Sequence, residues 1–432
     1  KDGKPACLIA VAQGASERTR AAAAEFGKVL ASIVGTPFEV KPGDGGAGIV
    51  IGLASDFPAL AKDERLTSKA ITARENYQLL SEPKRLLLIG NSDIAVEHAV
   101  WDTLYRLGYR QFFPGKTWEV VPKQRDLSLA VDALESPSYD ARRIWYGYGP
   151  MPENKASYAD WCAKNRADMG IDLKSGHSYD GIMARHKKEF AEHPEYLALV
   201  NGQRKPPKFC IANAGLRKLV SDDALAQIAA DPTLDSVSCD PSDGGGWCEC
   251  PECAKIGSVS DRALTLANEV ARALQAKYPG KLVGMYAYNE HSPVPSIQAE
   301  PNVVISVATG FIKGGFTVDQ LLEGWSQHAK TLGIREYYSV HPWDRDMPGT
   351  ARAASLTYLA ETIPHFHDKQ ARFMSAESSD NWGCNGLGYY FASRVLWDVK
   401  EAAREQEIVD DFMEKCFPEA QGPMAKFYHF IN

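Results

Sequence analysis

The sequence predicts an α/β fold: a small N-terminal α/β accessory domain over residues 1–135, then a (β/α)8 TIM-like barrel over 136–432 with extra C-terminal helices. Three observations carry this. Short apolar runs alternate with stretches whose apolar residues recur at helical spacing, the pattern of strands linked through helices. The chain has 432 residues, which suits a small domain beside a large barrel. From Tyr139 onward the strand-then-helix repeat recurs close to eight times. Recurrent helices between strands argue against a sandwich, and a doubly wound sheet is the rival architecture.

In the first region, residues 6–12 (ACLIAVA) read as a buried strand. A helix over 17–33 follows, with Phe26, Val29, Leu30 and Ile33 on one face. The glycine-rich stretch 43–48 lacks the Lys-Ser/Thr ending and the strand–loop–helix order of a phosphate loop, so it reads as a turn before a strand at 49–53. Strands are expected at 77–80 and 85–90. A helix at 93–107 carries Val96, Ala99, Val100 and Leu104 and stops at Gly108. Short strands at 110–113 and 118–121 close the region, which ends near Ala133.

The second region is read as strands at 144–148, 209–211, 236–239, 282–288, 303–307, 333–340 and 371–376. The intervening helices are 158–166, 215–230, 260–278, 317–329 and 351–366, with a helical tail at 387–396, 408–417 and 423–430. Residues 176–196 read as a loop-rich stretch holding His177, His186 and His193.

Composition narrows the function classes. With 44% hydrophobic and 24% charged residues, a sizeable packed core is expected. The formal charge of −7 argues against a general nucleic-acid binder and leaves neutral or weakly acidic substrates open. No apolar run is long enough to span a bilayer. No signal peptide is visible, and the opening Lys-Asp-Gly-Lys reads as a trimmed start; the protein is expected in the periplasm, on the cell surface or secreted.

In a barrel, the loops after the strands carry the chemistry. Five such ends are loaded: Arg143, Trp145 and Tyr148; Asp240 and Asp243; Tyr288, Asn289, Glu290 and His291; Tyr338, His341, Trp343 and Asp344; and Glu377, Asp380 and Trp382. Each one alone reads as a solvated loop. Together, mixing carboxylates, amides and aromatic rings, they point to an enzyme acting on a polar, ring-shaped substrate. Cleaving a glycosidic bond needs an acid for the leaving oxygen and a second group to attack or stabilise the oxocarbenium ion. Glu290 is the first choice as acid, because burial behind its strand would raise its pKa; Glu377 is the rival, and Asp240 and Asp243 are the candidate partners. The substrate-binding set is Arg143, Trp145, Tyr148, His177, Tyr288, Asn289, Tyr338, His341, Trp343 and Trp382. No cofactor for catalysis is expected.

Cys248, Cys250 and Cys253 form a C-x-C-x2-C run. Such spacing suits a structural zinc, with Cys239, Cys210 or Cys384 as a further neighbour in space; a disulfide or free thiols are the alternatives.

The stretch IGNSDIAVEHAVWDTLYRLGYRQFFPG, with EVVPKQRDLSL and ESPSYDARR, resembles the accessory domain that precedes the barrel in β-hexosaminidases and α-glucuronidases. HPEYLALVNGQRK, FCIANAG, SVSCDPSDGGGWCECPECAKIG, YNEHSPVP and YYFASRVLWD resemble a bacterial family of barrel domains that includes the family-163 glycoside hydrolases, endo-β-N-acetylglucosaminidases acting on complex N-glycans. This resemblance implies an oligosaccharide or polysaccharide substrate, cleavage at an N-acetylhexosamine and participation of its acetamido oxygen. The relatives' Asn-Asp-Gly reads Cys239-Asp240-Pro241-Ser242-Asp243-Gly244 here, and Asp243, directly before glycine, is taken as the matching position. A uronic-acid-directed glycosidase, with Arg142, Arg143, Arg345 and Arg352 meeting the acid, and an inactive carbohydrate-binding barrel are the alternatives.

Overall fold

The computed structural model describes residues 7–146, 154–340, 342 and 345–431. The N-terminal sheet is built from β1 (Ile9–Val11), β2 (Val40–Pro42), β3 (Gly48–Leu53), β4 (Tyr77–Glu82) and β5 (Arg85–Gly90). A two-stranded pair, β6 (Arg110–Gln111) and β7 (Glu119–Val120), precedes β8 (Asp132–Glu135), which completes the sheet in the order β2-β1-β3-β5-β4-β8. The pairings β1–β2, β1–β3 and β3–β5 are parallel, whereas β4 pairs antiparallel with β5 and β8.

Two helices cover one face of this sheet. In α1 (Glu17–Val34) the Ser16 hydroxyl accepts from the Thr19 N–H, and Gly35, at φ 85°, turns the chain out with its N–H on the Ala31 carbonyl. Its Phe26, Leu30 and Ile33 join Val96, Ala99 and Leu104 of α2 (Asp93–Arg106) in one buried cluster with Ile9, Ile51 and Leu88. A smaller cluster around Val50, Leu87, Ile89 and Phe57 fills the other face. The short strands β2 and β8 were not anticipated, because one is mostly exposed Val-Lys-Pro and the other Asp-Ala-Leu-Glu, neither of which alternates apolar and polar residues clearly.

The remaining elements in chain order are β9 (Ala141–Ile144), α3 (Lys155–Lys164), α4 (Tyr179–Arg185), α5 (Lys187–Glu192), β10 (Leu197–Val200), β11 (Gln203–Phe209), α6 (Ala214–Ala230) and β12 (Ser236–Ser238). Then come α7 (Pro251–Ile256), α8 (Val259–Lys277), β13 (Leu282–Asn289), β14 (Val303–Ile312), α9 (Val318–Ser326), β15 (Thr331–Tyr337), α10 (Leu356–Asp368) and β16 (Ala371–Glu377). Helices α11 (Trp382–Trp397), α12 (Glu405–Cys416) and α13 (Gln421–Ile431) end the chain.

A second six-stranded sheet runs β12-β13-β14-β15-β16-β9, and its pairings from β12 to β15 are parallel. β13 and β14 are buried almost continuously, as strands covered on both faces must be. The described sheet is a curled partial barrel of six strands, where the sequence led us to expect a ring of eight. One expected barrel strand, 209–211, is corrected: β11 pairs antiparallel with β10 as a separate hairpin. Asn201-Gly202, both at positive φ (50° and 74°), form the tight turn between Val200 and Gln203.

The chain divides into two compact units. One holds residues 1–170, 338–364 and 377–432; the other holds 171–337 and 365–376. No helix of the described residues is long and apolar enough to cross a membrane.

Candidate active site

The loaded segments after β12 and β13 meet in the second unit. Asp240, two residues beyond β12, is fully buried, and its Oδ1 accepts the Tyr286 N–H of β13 at 2.8 Å. Residues 172–178 run alongside β12. The Ser236 hydroxyl donates to the Asp172 carbonyl (2.8 Å) and accepts the Lys174 N–H (2.6 Å), while the Ser238 hydroxyl donates to the Gly176 carbonyl (2.7 Å). Gly284 permits this approach: a Cβ there would lie 2.1 Å from the Lys174 carbonyl oxygen. The segment ends in a parallel bridge between His177 and Asp240, which sets the imidazole over the carboxylate.

His177 donates from Nδ1 to the Pro241 carbonyl at 2.8 Å, with Asp240 Oδ2 at 3.3 Å from the same nitrogen. Nε2 of His291 lies 3.8 Å from Asp240 Oδ1. Burial alone would raise the Asp240 pKa, but hydrogen bonding and charge from His177 and His291, with the Tyr286 N–H, hold it below the ordinary carboxylate value. Burial likewise acts to lower His177, and the Asp240 carboxylate outweighs it, so the imidazole pKa is raised. The two groups therefore favour a carboxylate–imidazolium pair.

That pair has a pH signature. The stabilisation from Asp240 is present above the unfolded value of about 4 and is lost as pH falls through its lowered folded pKa. The stabilisation from His177 is full below about 6.5 and is lost as pH rises through its raised folded pKa. His177→Gln is therefore expected to cost about 1 kcal/mol near pH 5.5, a figure kept small because the ring is partly open to solvent. Urea unfolding should show that gap narrowing by pH 9. An equal gap at both pH values would remove the ion pair.

Asp243 is exposed, and its Oδ1 accepts from the Tyr288 hydroxyl at 3.1 Å and the Gly244 N–H at 2.8 Å. Burial and the Asp243 charge raise the Tyr288 pKa, so the phenol remains a donor. Asn289 ends β13 at a left-handed φ of 49°. Glu290 follows it and is exposed, with its Oε1 3.7 Å from where a Cβ on Gly245 would sit. The burial expected at Glu290 is not found: its side chain is exposed.

Lys208 is buried, its ammonium donating to the Ser242 carbonyl and to the Asp243 carbonyl at 3.2 Å and lying 5.5 Å from the Trp247 ring. Burial lowers its pKa, against the pull of Asp240, Asp243, Glu290 and Asp180. Arg335, near the end of β15, is buried too, 5.9 Å from the Tyr286 ring and 4.7 Å from the Tyr337 ring. The sequence reading missed Lys208, Trp247 and Arg335. Lys208 sits in a hairpin strand not recognised as one, and Arg335 reads as an ordinary charge inside an apolar strand.

The other unit holds the remaining described candidates. Arg143 is exposed, its guanidinium 5.4 Å from the half-buried Trp145 ring. Tyr338 and Glu377 are buried, and the Glu377 carbonyl accepts the Tyr338 N–H at 2.8 Å. Trp382 packs edge-on against Trp161 and Tyr389, each at 4.9 Å. Arg142 is buried against Glu75, which commits its charge inside the protein. Tyr148, His341, Trp343 and Asp344 lie outside the described residues.

The cysteine run gains a fourth member. Cys210, just after β11, joins Cys248, Cys250 and Cys253, with all four sulfurs within 4.8 Å of one another. Cys210 Sγ is 3.7 Å from that of Cys250 and 3.8 Å from that of Cys253. Four thiolates around zinc at about 2.3 Å would stand about 3.8 Å apart along each tetrahedral edge, whereas a disulfide needs about 2.05 Å. All nine cysteines are free. The N–H groups of Leu199 (3.3 Å to Cys248), Ala212 (3.4 Å to Cys253) and Cys253 (3.4 Å to Cys250) point at sulfur, as they would around thiolates. The donor set fits a structural metal with all four positions filled by protein.

No curated protein matches the chain. Among solved structures it is similar to a family GH115 4-O-methyl-α-glucuronidase, BtGH115A, described as specific for decorated arabinogalactans, at 13% identity and a TM-score of 0.62. The match covers 98% of this chain and 61% of that enzyme, so this chain spans less than two-thirds of the enzyme's length. The likeness shows that the chain shares the barrel-type fold of that enzyme. A family model described as "Domain of unknown function (DUF4838)" matches residues 113–429, and the chain belongs to that family.

Proposed function

We propose that the protein is a glycoside hydrolase cleaving a complex glycan at an acidic, uronic-type sugar. One observation carries this: a buried carboxylate, Asp240, and an exposed one, Glu290, flank a loop ordered by the buried cation Lys208, with Arg335 nearby at the end of β15. Carboxylates in contrasting environments suit opposite roles. Asp240 stays ionised and holds His177 and the loop. Glu290 is the general acid once substrate covers it, and Asp243, oriented by Tyr288, stabilises or assists the reacting centre. Lys208, buried beneath the loop and held by its carbonyls, gives the loop a positive field that favours a sugar carboxylate above it, and the likeness to an α-glucuronidase supports that substrate class.

Cleavage at an N-acetylhexosamine is the second reading. The hydrogen-bonded Asp243 suits polarising an acetamido group, but such a sugar brings no charge to the field of Lys208. In either reading residues 1–135 serve as the accessory part and 136–432 as the catalytic part, and Glu377 remains the rival acid. With a polysaccharide substrate, a periplasmic, cell-surface or secreted location is part of the proposal.

The test is hydrolysis of uronic-acid-bearing oligosaccharides from arabinogalactan and xylan beside complex N-glycans. Release of uronic acid from the first group alone is the expected result. Lys208→Met should then raise KM for the acidic substrates about tenfold and leave any neutral one unchanged. Cleavage of N-glycans alone would select the second reading, and no turnover of either would sink the hydrolase.

A further inference from the structure

Phe311, near the end of β14, holds a left-handed backbone at φ 57°, a conformation that non-glycine residues rarely adopt. It is also 48% exposed, one of few large apolar side chains so open among the described residues. Glycine would relax the backbone, so the strain is held for what the ring does. Its surroundings supply a reason. The Phe311 ring lies 5.8 Å from Tyr288, which binds Asp243, and 5.7 Å from Tyr337, over which Arg335 sits. Asn289, the other left-handed residue at these strand ends, is the register neighbour of Ile312, where the β13–β14 pairing slips. The rings stand at the C-terminal ends of three neighbouring parallel strands, the end at which barrel enzymes bind substrate.

We infer that Phe311, flanked by Tyr288 and Tyr337, forms a stacking subsite for a pyranose ring of the glycan beyond the one next to Glu290. A pyranose has an apolar CH face that an open aromatic ring covers well, and its hydroxyls meet the two tyrosines. This rests on the hydrolase reading for the neighbouring carboxylates, yet it makes a separate demand: affinity must grow with chain length through Phe311.

The test is calorimetric binding of uronic-acid-bearing oligosaccharides of increasing length to Glu290→Gln protein, alone and combined with Phe311→Gly or Phe311→Trp. Phe311→Gly, shown by circular dichroism to keep the parent's fold, is expected to lose about tenfold in affinity for the longer oligosaccharides. The monosaccharide should bind equally to both, and Phe311→Trp should retain the parent's affinity. If wild-type protein hydrolyses none of the sugars while Phe311-dependent binding persists, the hydrolase reading falls and the subsite stands. Equal affinity of parent and Phe311→Gly for the longest oligosaccharide, or no binding to the parent at all, overturns the subsite.

Discussion

Stripping metal from the thiolate cluster is expected to lower the melting temperature by about 10 °C or more, because a structural zinc site contributes its binding energy directly to folding. The purified protein should carry about one zinc per chain by elemental analysis. Cys253→Ser, which removes a fully buried ligand, should lose that zinc. The damage should be regional. The sulfurs accept N–H groups from Leu199 and Ala212, and Cys248 closes the loop that begins at Asp240, so the hairpin β10–β11 and residues 240–253 are tied through the cluster. Hydrogen exchange should report loss of protection at Leu199 and Ala212 while the N-terminal sheet is unchanged. A metal-free protein that melts with the wild type would reduce the four cysteines to buried thiols.

Glu290→Gln is expected to lower kcat/KM by about 10³-fold on natural glycosides, within the usual span for a general acid and equivalent to about 4 kcal/mol of transition-state stabilisation. Magnitude alone does not assign the role; the dependence on leaving group does. A sugar alkoxide is a poor leaving group and needs a proton as the bond breaks, whereas a nitrophenolate leaves without one. The loss should therefore shrink to about tenfold or less on aryl glycosides with acidic phenols. Asp243→Asn should impair both substrate types alike, because stabilising the oxocarbenium ion matters whatever departs. If Glu377→Gln gives the leaving-group pattern instead, the acid lies at the end of β16 and Glu290 only binds.

Much of the fold was legible because strands and amphipathic helices write their period locally. The helix 17–33 is found as Glu17–Val34, and the strand 85–90 as Arg85–Gly90, since caps and apolar spacing sit within the segment itself. The hairpin β10–β11 was not read: its Asn-Gly turn lies in the sequence, but two consecutive prolines mask the strand pattern, and 209–211 reads as a barrel strand. The carboxylate-bearing ends after β12 and β13 were found as chemistry, though not as geometry: Asp240 is buried and paired with His177, whereas Glu290 is open.

The sequence by itself determined which residue types end each strand, that the chain is α/β, and that three closely spaced cysteines await a partner. Only the tertiary structure decided that Cys210 is that partner, that Lys208 brings buried charge to the acidic loop, and that Phe311 stands half-exposed in a strained backbone. The reason is physical. Periodicity and caps act within a few residues, whereas ligation, desolvation and exposure depend on segments far apart in the chain, whose packing no local pattern records.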